Sequence, residues 1–183
     1  EPAPPADLKY VTGMWRYARG LALAATGRFP AADDELAALR DLAAIVPPTQ
    51  TVAMFFKATE MLELAANVLA GEIAARRGDT PTAVRHLSAA VRAQDKHWFT
   101  EPPAWYYPVR QSLGAALLAG GQAAEAAAVY RADLERNPDN GWSLFGLARS
   151  LRAQGRMAEA AEVDARFGKA WARADVRLTS SRF

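Results

Sequence analysis

The 183-residue chain contains no cysteine and only two histidines, His86 and His97. Without thiols there is no disulfide framework, no thiolate nucleophile and no cysteine-ligated zinc or iron–sulfur site. The histidines stand 11 residues apart across the end of a helical segment, and a metal site would need Glu72 or Asp95 to join them. That spacing repeats no defined ligand motif, so His86 reads as a surface or inter-helix residue and His97 as a polar neighbour of Trp98. A glycine-rich phosphate loop in a strand–turn–helix context is missing, as is any apolar run near the roughly 20 residues of a membrane span. An excess of one charge sign is missing as well. Twenty-two basic and 20 acidic residues give a net charge of +2 with the signs interspersed, whereas a nucleic-acid domain concentrates its basic groups. The acid pairs Asp33-Asp34 and Glu159-Glu162 fit solvated helix faces better than paired catalytic carboxylates. Neither a catalytic residue nor a cofactor or metal site is expected.

Alanine is abundant instead, 42 of 183 residues, and it favours helices whose backbones approach closely. Between Gly and Pro punctuation the apolar positions recur three and four apart, as at Leu113, Leu117 and Leu118, the period of a helix and not of a strand. Helices are predicted at about 6–26, 29–45, 50–77, 81–94, 103–120, 122–136, 141–154 and 156–174. Thr49 or Thr51 would cap the third, Thr80 before Pro81 the fourth, and Asp139 or Asn140 the seventh. Connections this short require antiparallel neighbours.

The turns repeat. Gly27, Gly78, Gly121 and Gly155 are each followed five residues later by Ala32, Ala83, Ala126 or Ala160, and preceded by seven residues by Gly20, Gly71, Gly114 or Ala148. Small residues at both positions would let the two helices of a hairpin cross closely, with the glycine ending the first helix. The turn glycines lie 51, 43 and 34 residues apart.

On these residues the chain resembles the tetratricopeptide repeat family, whose unit length the last interval matches. The likeness is strongest over 107–167, where Leu113-Gly114, Leu117, Gly121, Glu125-Ala126, Tyr130 and Pro138 follow the family's pattern across one unit. The next unit keeps Leu147, Ala148, Leu151, Gly155 and Glu159-Ala160, then departs at Asp164 and Phe167. Units at about 14–46 and 64–97 keep the glycines and alanines but lack the closing proline. The runs around Trp105-Tyr106-Tyr107 and Trp142-Ser143-Leu144-Phe145 are similar to the C-terminal part of longer bacterial tetratricopeptide proteins of undefined role. The start at Glu1, without Met or a leader segment, is what a mature form or an excised piece would show.

The resemblance implies an all-α right-handed superhelical solenoid of about four antiparallel helix hairpins over 1–178, followed by a tail at 179–183 that is loose unless Phe183 docks. It implies a non-enzymatic scaffold, soluble and cytoplasmic or exported, whose concave groove takes a protein, a peptide or another segment of the parent chain, with no nucleic acid and no membrane insertion. The alternative is an accessory domain of a longer enzyme or metal-handling protein whose chemistry lies elsewhere. Inward-facing repeat positions nominate Tyr17, Trp142, Phe145, Arg149 and Arg152, with Tyr107 from the aromatic junction, since aromatic and Arg side chains concentrate interface energy. Trp142 and Phe145 could equally clasp the preceding hairpin, and Arg149 and Arg152 could be plain solvated charge or a grip for a carboxylate. The second unit carries Val68 and Glu72 at the corresponding positions, which does not support the family's carboxylate clamp. The stretch 96–110, with Trp98, Phe99, Trp105, Tyr106 and Tyr107, is expected to cover the junction between hairpins or to form a binding lip, with Glu101 a helix-start carboxylate; Trp171 is expected to seal the last hairpin.

Overall fold

The computed structural model describes residues 2–52, 56–97 and 103–182, so Trp98, Phe99, Glu101 and Phe183 lie outside the described residues. The described chain is all-α apart from one short hairpin: α1 (Lys9–Ala25), α2 (Phe29–Ile45), β1 (Thr51–Val52), β2 (Phe56–Lys57), α3 (Ala58–Arg76), α4 (Thr80–Asp95), α5 (Arg110–Ala119), α6 (Ala123–Arg136), α7 (Gly141–Ala153) and α8 (Met157–Ala170). The helices contact one another in consecutive pairs, α1–α2, α3–α4, α5–α6 and α7–α8. Two compact units result, Glu1–Tyr107 and Pro108–Phe183.

The repeated glycines close these hairpins. Gly27, Gly78, Gly121 and Gly155 have φ between 74° and 80°, the left-handed region that ends a helix at little penalty only for glycine. The alanines five residues on are all buried, as the spacing requires. Upstream, a Cβ on Gly71 would stand 2.5 Å from Leu87, and one on Gly114 would stand 2.4 Å from the Tyr130 ring, so both glycines admit the second helix of their own hairpin. Gly20 differs: its close neighbour is Leu69 of α3, in the next hairpin, at 2.6 Å from a Cβ. Replacing Ala126, which is fully buried, with Leu is therefore expected to destabilise the protein by about 1–3 kcal/mol in denaturant unfolding; an unchanged midpoint would refute the close crossing.

In the first unit α3 is the central element, touching α1, α2 and α4. Thirteen of its 19 residues are buried, including Leu62, Leu69 and Ile73, so no single face stands out in its sequence. The flanking α4 shows the usual one-sided stripe, burying Ala83, Leu87, Ala90 and Val91. Asp79, not Thr80, caps α4: its carboxylate accepts from the Thr82 N–H at 3.1 Å, which places Thr80 and Pro81 inside the first turn.

Two predicted helices are shorter than their periodicity suggests. The third begins at Ala58 because Thr51-Val52 pairs antiparallel with Phe56-Lys57, Thr51 opposite Lys57 and Val52 opposite Phe56. β-branched and aromatic side chains favour that arrangement, and Phe56 is buried by it. The fifth begins at Arg110 instead of 103. Pro108 disfavours helical geometry at Tyr107, and its own lack of an N–H suits the start of a helix, so α5 opens only after it.

Candidate functional site

Each unit positions part of the nominated set. In the first, Tyr17 projects from α1, where its repeat position implies an open face, yet it is only 3% exposed. The segment 105–107 covers it: the Trp105 ring meets Tyr17 edge-on at 5.3 Å, and the Tyr106 hydroxyl lies 3.0 Å from that of Tyr17. Gln94 of α4 anchors the segment by donating from Nε2 to the Tyr107 carbonyl at 2.8 Å. Trp105 itself is 4% exposed, which makes it a cover and not a lip, and burial raises the Tyr17 phenol far above its ordinary range. Tyr107 is half-buried beside Tyr106, which is 65% exposed. Tyr17 thus supports the fold of this unit instead of offering a contact surface.

The histidines are accounted for in the same unit. His86 Nδ1 lies 3.0 Å from Asn67 Oδ1, and His97 sits 3.4 Å from Glu60 with its ring edge-on to Phe56 at 5.1 Å. Among the described residues no group of three or more His, Asp or Glu is placed to hold a metal, and no helix is long and apolar enough to cross a membrane.

In the second unit α7 carries Trp142, Phe145, Arg149 and Arg152, three and four residues apart, so they share a flank of that helix. They divide into two groups. Trp142 meets Trp171 edge-on at 5.8 Å, Trp171 stacks on Phe167 at 5.8 Å, and Arg152 pairs with Asp164, all on α8 or at its end. Trp171 seals this hairpin as expected, lying where a Cβ on Gly141 would approach within 2.2 Å and donating its indole N–H to the Val176 carbonyl at 2.7 Å. Phe145 bridges the groups: it contacts Phe167 at 5.8 Å and lies under the Arg149 guanidinium at 5.7 Å.

Phe145 and Arg149 also line a second site, together with Ala115 and Leu118 of α5 and Gly146 of α7. Its floor is Tyr130 of α6, which the family resemblance gives as a repeat residue but not as a site residue. The Tyr130 ring is held between Gly114 and Gly146, each of which would bring a Cβ within 2.4 Å of it. Its hydroxyl reaches Ser181 Oγ at 2.5 Å, and burial pushes its pKa up to about 12. The tail is therefore seated, not loose. Leu178 and Ser181 are buried, Ser181 Oγ donates to the Gln111 carbonyl at 3.2 Å, and Arg149 Nη1 donates to the Thr179 carbonyl at 2.8 Å. No sequence pattern signals this, because a single leucine, one serine hydroxyl and a main-chain oxygen hold the tail without any repeating period.

The α6–α7 corner fixes the site from behind. Asp133 is buried and accepts from Ser143 Oγ, Asn137 Nδ2 and Asn140 Nδ2 at 2.5–3.0 Å, while Asn140 Oδ1 accepts the Trp142 N–H and so caps α7. Burial raises the Asp133 carboxyl, and those donors act against the rise.

Antiparallel helix pairs closed by left-handed glycine turns define an α-helical repeat protein. Residues 117–163, from the end of α5 into α8, match the family model of the tetratricopeptide repeat. Repeats of this family generally mediate protein–protein interaction and are typically non-catalytic. No curated protein and no solved structure matches the chain.

Proposed function

We propose that this chain is a non-enzymatic interaction scaffold that recognises a segment of another protein on the α5–α7 face of its second unit. The observation that carries the reading is the tail: this face holds an extended stretch of polypeptide, with the Thr179 carbonyl on the Arg149 guanidinium and a serine against Tyr130. A surface that accepts main-chain oxygen through Arg and offers an aromatic ring beside it has the chemistry of a peptide-binding face. Phe145 is the central contact and Arg149 orients the bound backbone. Trp142 and Arg152, engaged with α8, flank the site and contribute less.

The test is calorimetry on a partner recovered with the full chain. Phe145→Ala is expected to weaken binding by at least about 2 kcal/mol while the helical circular dichroism is unchanged, and Arg152→Ala by much less and in a salt-dependent manner. A partner that binds all folded variants equally, with protection from exchange confined to α6 and α8, would reject the site.

A further inference from the structure

The tail segment 178–182 makes its polar side-chain contacts with the α5–α7 face as well as locally. Leu178 and Ser181 point inward and are buried, while Arg177 and Thr179 are exposed, so the face reads two side chains three positions apart. At the second position it offers two groups at once: the Gln111 carbonyl, 3.2 Å from Ser181 Oγ, which only accepts, and the Tyr130 hydroxyl, 2.5 Å away. A small hydroxyl side chain satisfies both by donating to the carbonyl and accepting from the phenol. Alanine would leave the buried phenol without this partner, and a larger or charged side chain would lose both hydrogen bonds that Ser181, 4% exposed, makes there.

Leu178 is buried, and Ser181 and the Thr179 carbonyl make three hydrogen bonds to the face, each of the same order as the entropy of fixing a single residue, so a competing segment can match them one for one. The tail does not fill the face, since a cavity of about 270 Å³ lies between it and Ala115, Leu118 and Phe145. A segment with a large apolar side chain at that register would bury surface that Thr179 and Ser180 leave uncovered.

We propose that residues 178–182 are an exchangeable mimic of the ligand: the α5–α7 seat binds an extended segment of a separate partner protein that carries an apolar residue three positions before a serine, and the tail occupies the seat until that segment displaces it. The inference rests on the α5–α7 face being the recognition surface. It adds the pattern that is recognised and a competition that the partner must win.

The probe is a fluorescent peptide with the sequence of residues 176–182, titrated into the full-length chain. In wild type the tethered tail competes at a high effective concentration, so the peptide binds weakly. Ser181→Trp, which cannot seat its tail, is expected to bind the peptide at least about tenfold more tightly than wild type does. A peptide with alanine in place of its second serine is expected to bind that variant about tenfold less tightly. Leu178→Asp expels the tail by a different route and repeats the comparison if the tryptophan variant fails to fold. In wild type, saturating peptide should accelerate amide exchange at 179–182. Failure of the peptide to bind either folded variant, equal binding to wild type and variants, or indifference to the alanine replacement would each overturn the proposal. Dimers of wild type formed through exchanged tails would overturn the assignment to a separate partner. If the peptide fails while partner binding still depends on Phe145, the recognition face stands and the mimicry alone falls.

Discussion

Tyr130→Ala is expected to lower the unfolding free energy by about 3–5 kcal/mol, the range for deleting a large, fully buried aromatic side chain. The neighbours are poorly suited to relax into the space. Gly114 and Gly146 contribute no side chain to either side of the ring, and the Ser181 hydroxyl loses its phenolic partner. Tyr130→Phe separates the contributions: the ring stays between the glycines and only the hydroxyl bond is lost, for about 0.5–1.5 kcal/mol. Denaturant titrations followed by circular dichroism measure both. A loss under about 1 kcal/mol for the alanine variant would show that the ring is not clasped as described.

Trp105→Ala is the corresponding test in the first unit, with an expected loss of about 3–5 kcal/mol. The indole is buried against Tyr17, and its removal also unroofs the Tyr17–Tyr106 hydroxyl pair. Its Nε1–H has no hydrogen-bond partner among the described residues. Trp105→Phe should therefore be much milder, since it keeps an aromatic ring over Tyr17 and removes a buried donor that nothing accepts from. A tryptophan that could be truncated with little change in the unfolding midpoint would be a contact residue instead of a cover, and would return Tyr17 to the list of accessible aromatics.

The parts of this structure that were legible in the sequence are those specified by period and by small residues. The left-handed turns, the buried alanines five positions on and the α7 flank all follow from spacing, because helix geometry converts spacing directly into position. The β1–β2 pair was not legible: two-residue strands are too short to show alternation inside an apolar stretch that also fits a helix. Tyr17 was misplaced for a different reason. An aromatic at an inward-facing repeat position looks the same whether that face is open or covered, and the cover comes from 88 residues downstream, where the Trp105 ring meets it at 5.3 Å. In the second unit Phe145 and Arg149 were nominated through chemistry and repeat position together and line the pocket beside the tail, whereas Tyr130, in the same lining, entered only as a member of the repeat pattern. Trp142 and Arg152 share the flank of α7 yet turn to α8, where Trp171 and Asp164 engage them, a choice between neighbours that the period of one helix does not encode.

Two kinds of glycine recur in this protein that composition does not distinguish. At Gly71, Gly114 and Gly146 a side chain is excluded by volume, because another residue already occupies the place of its first carbon. At Gly27, Gly78, Gly121 and Gly155 that place is open, with nothing within 4 Å, and the only obstacle is handedness, worth about 1–2 kcal/mol for an L-residue in left-handed backbone. The first kind ties each helix to one particular partner, whereas the second makes no demand on its surroundings. Turns specified by stereochemistry alone can recur unchanged between hairpins of different length, as the intervals of 51, 43 and 34 residues require.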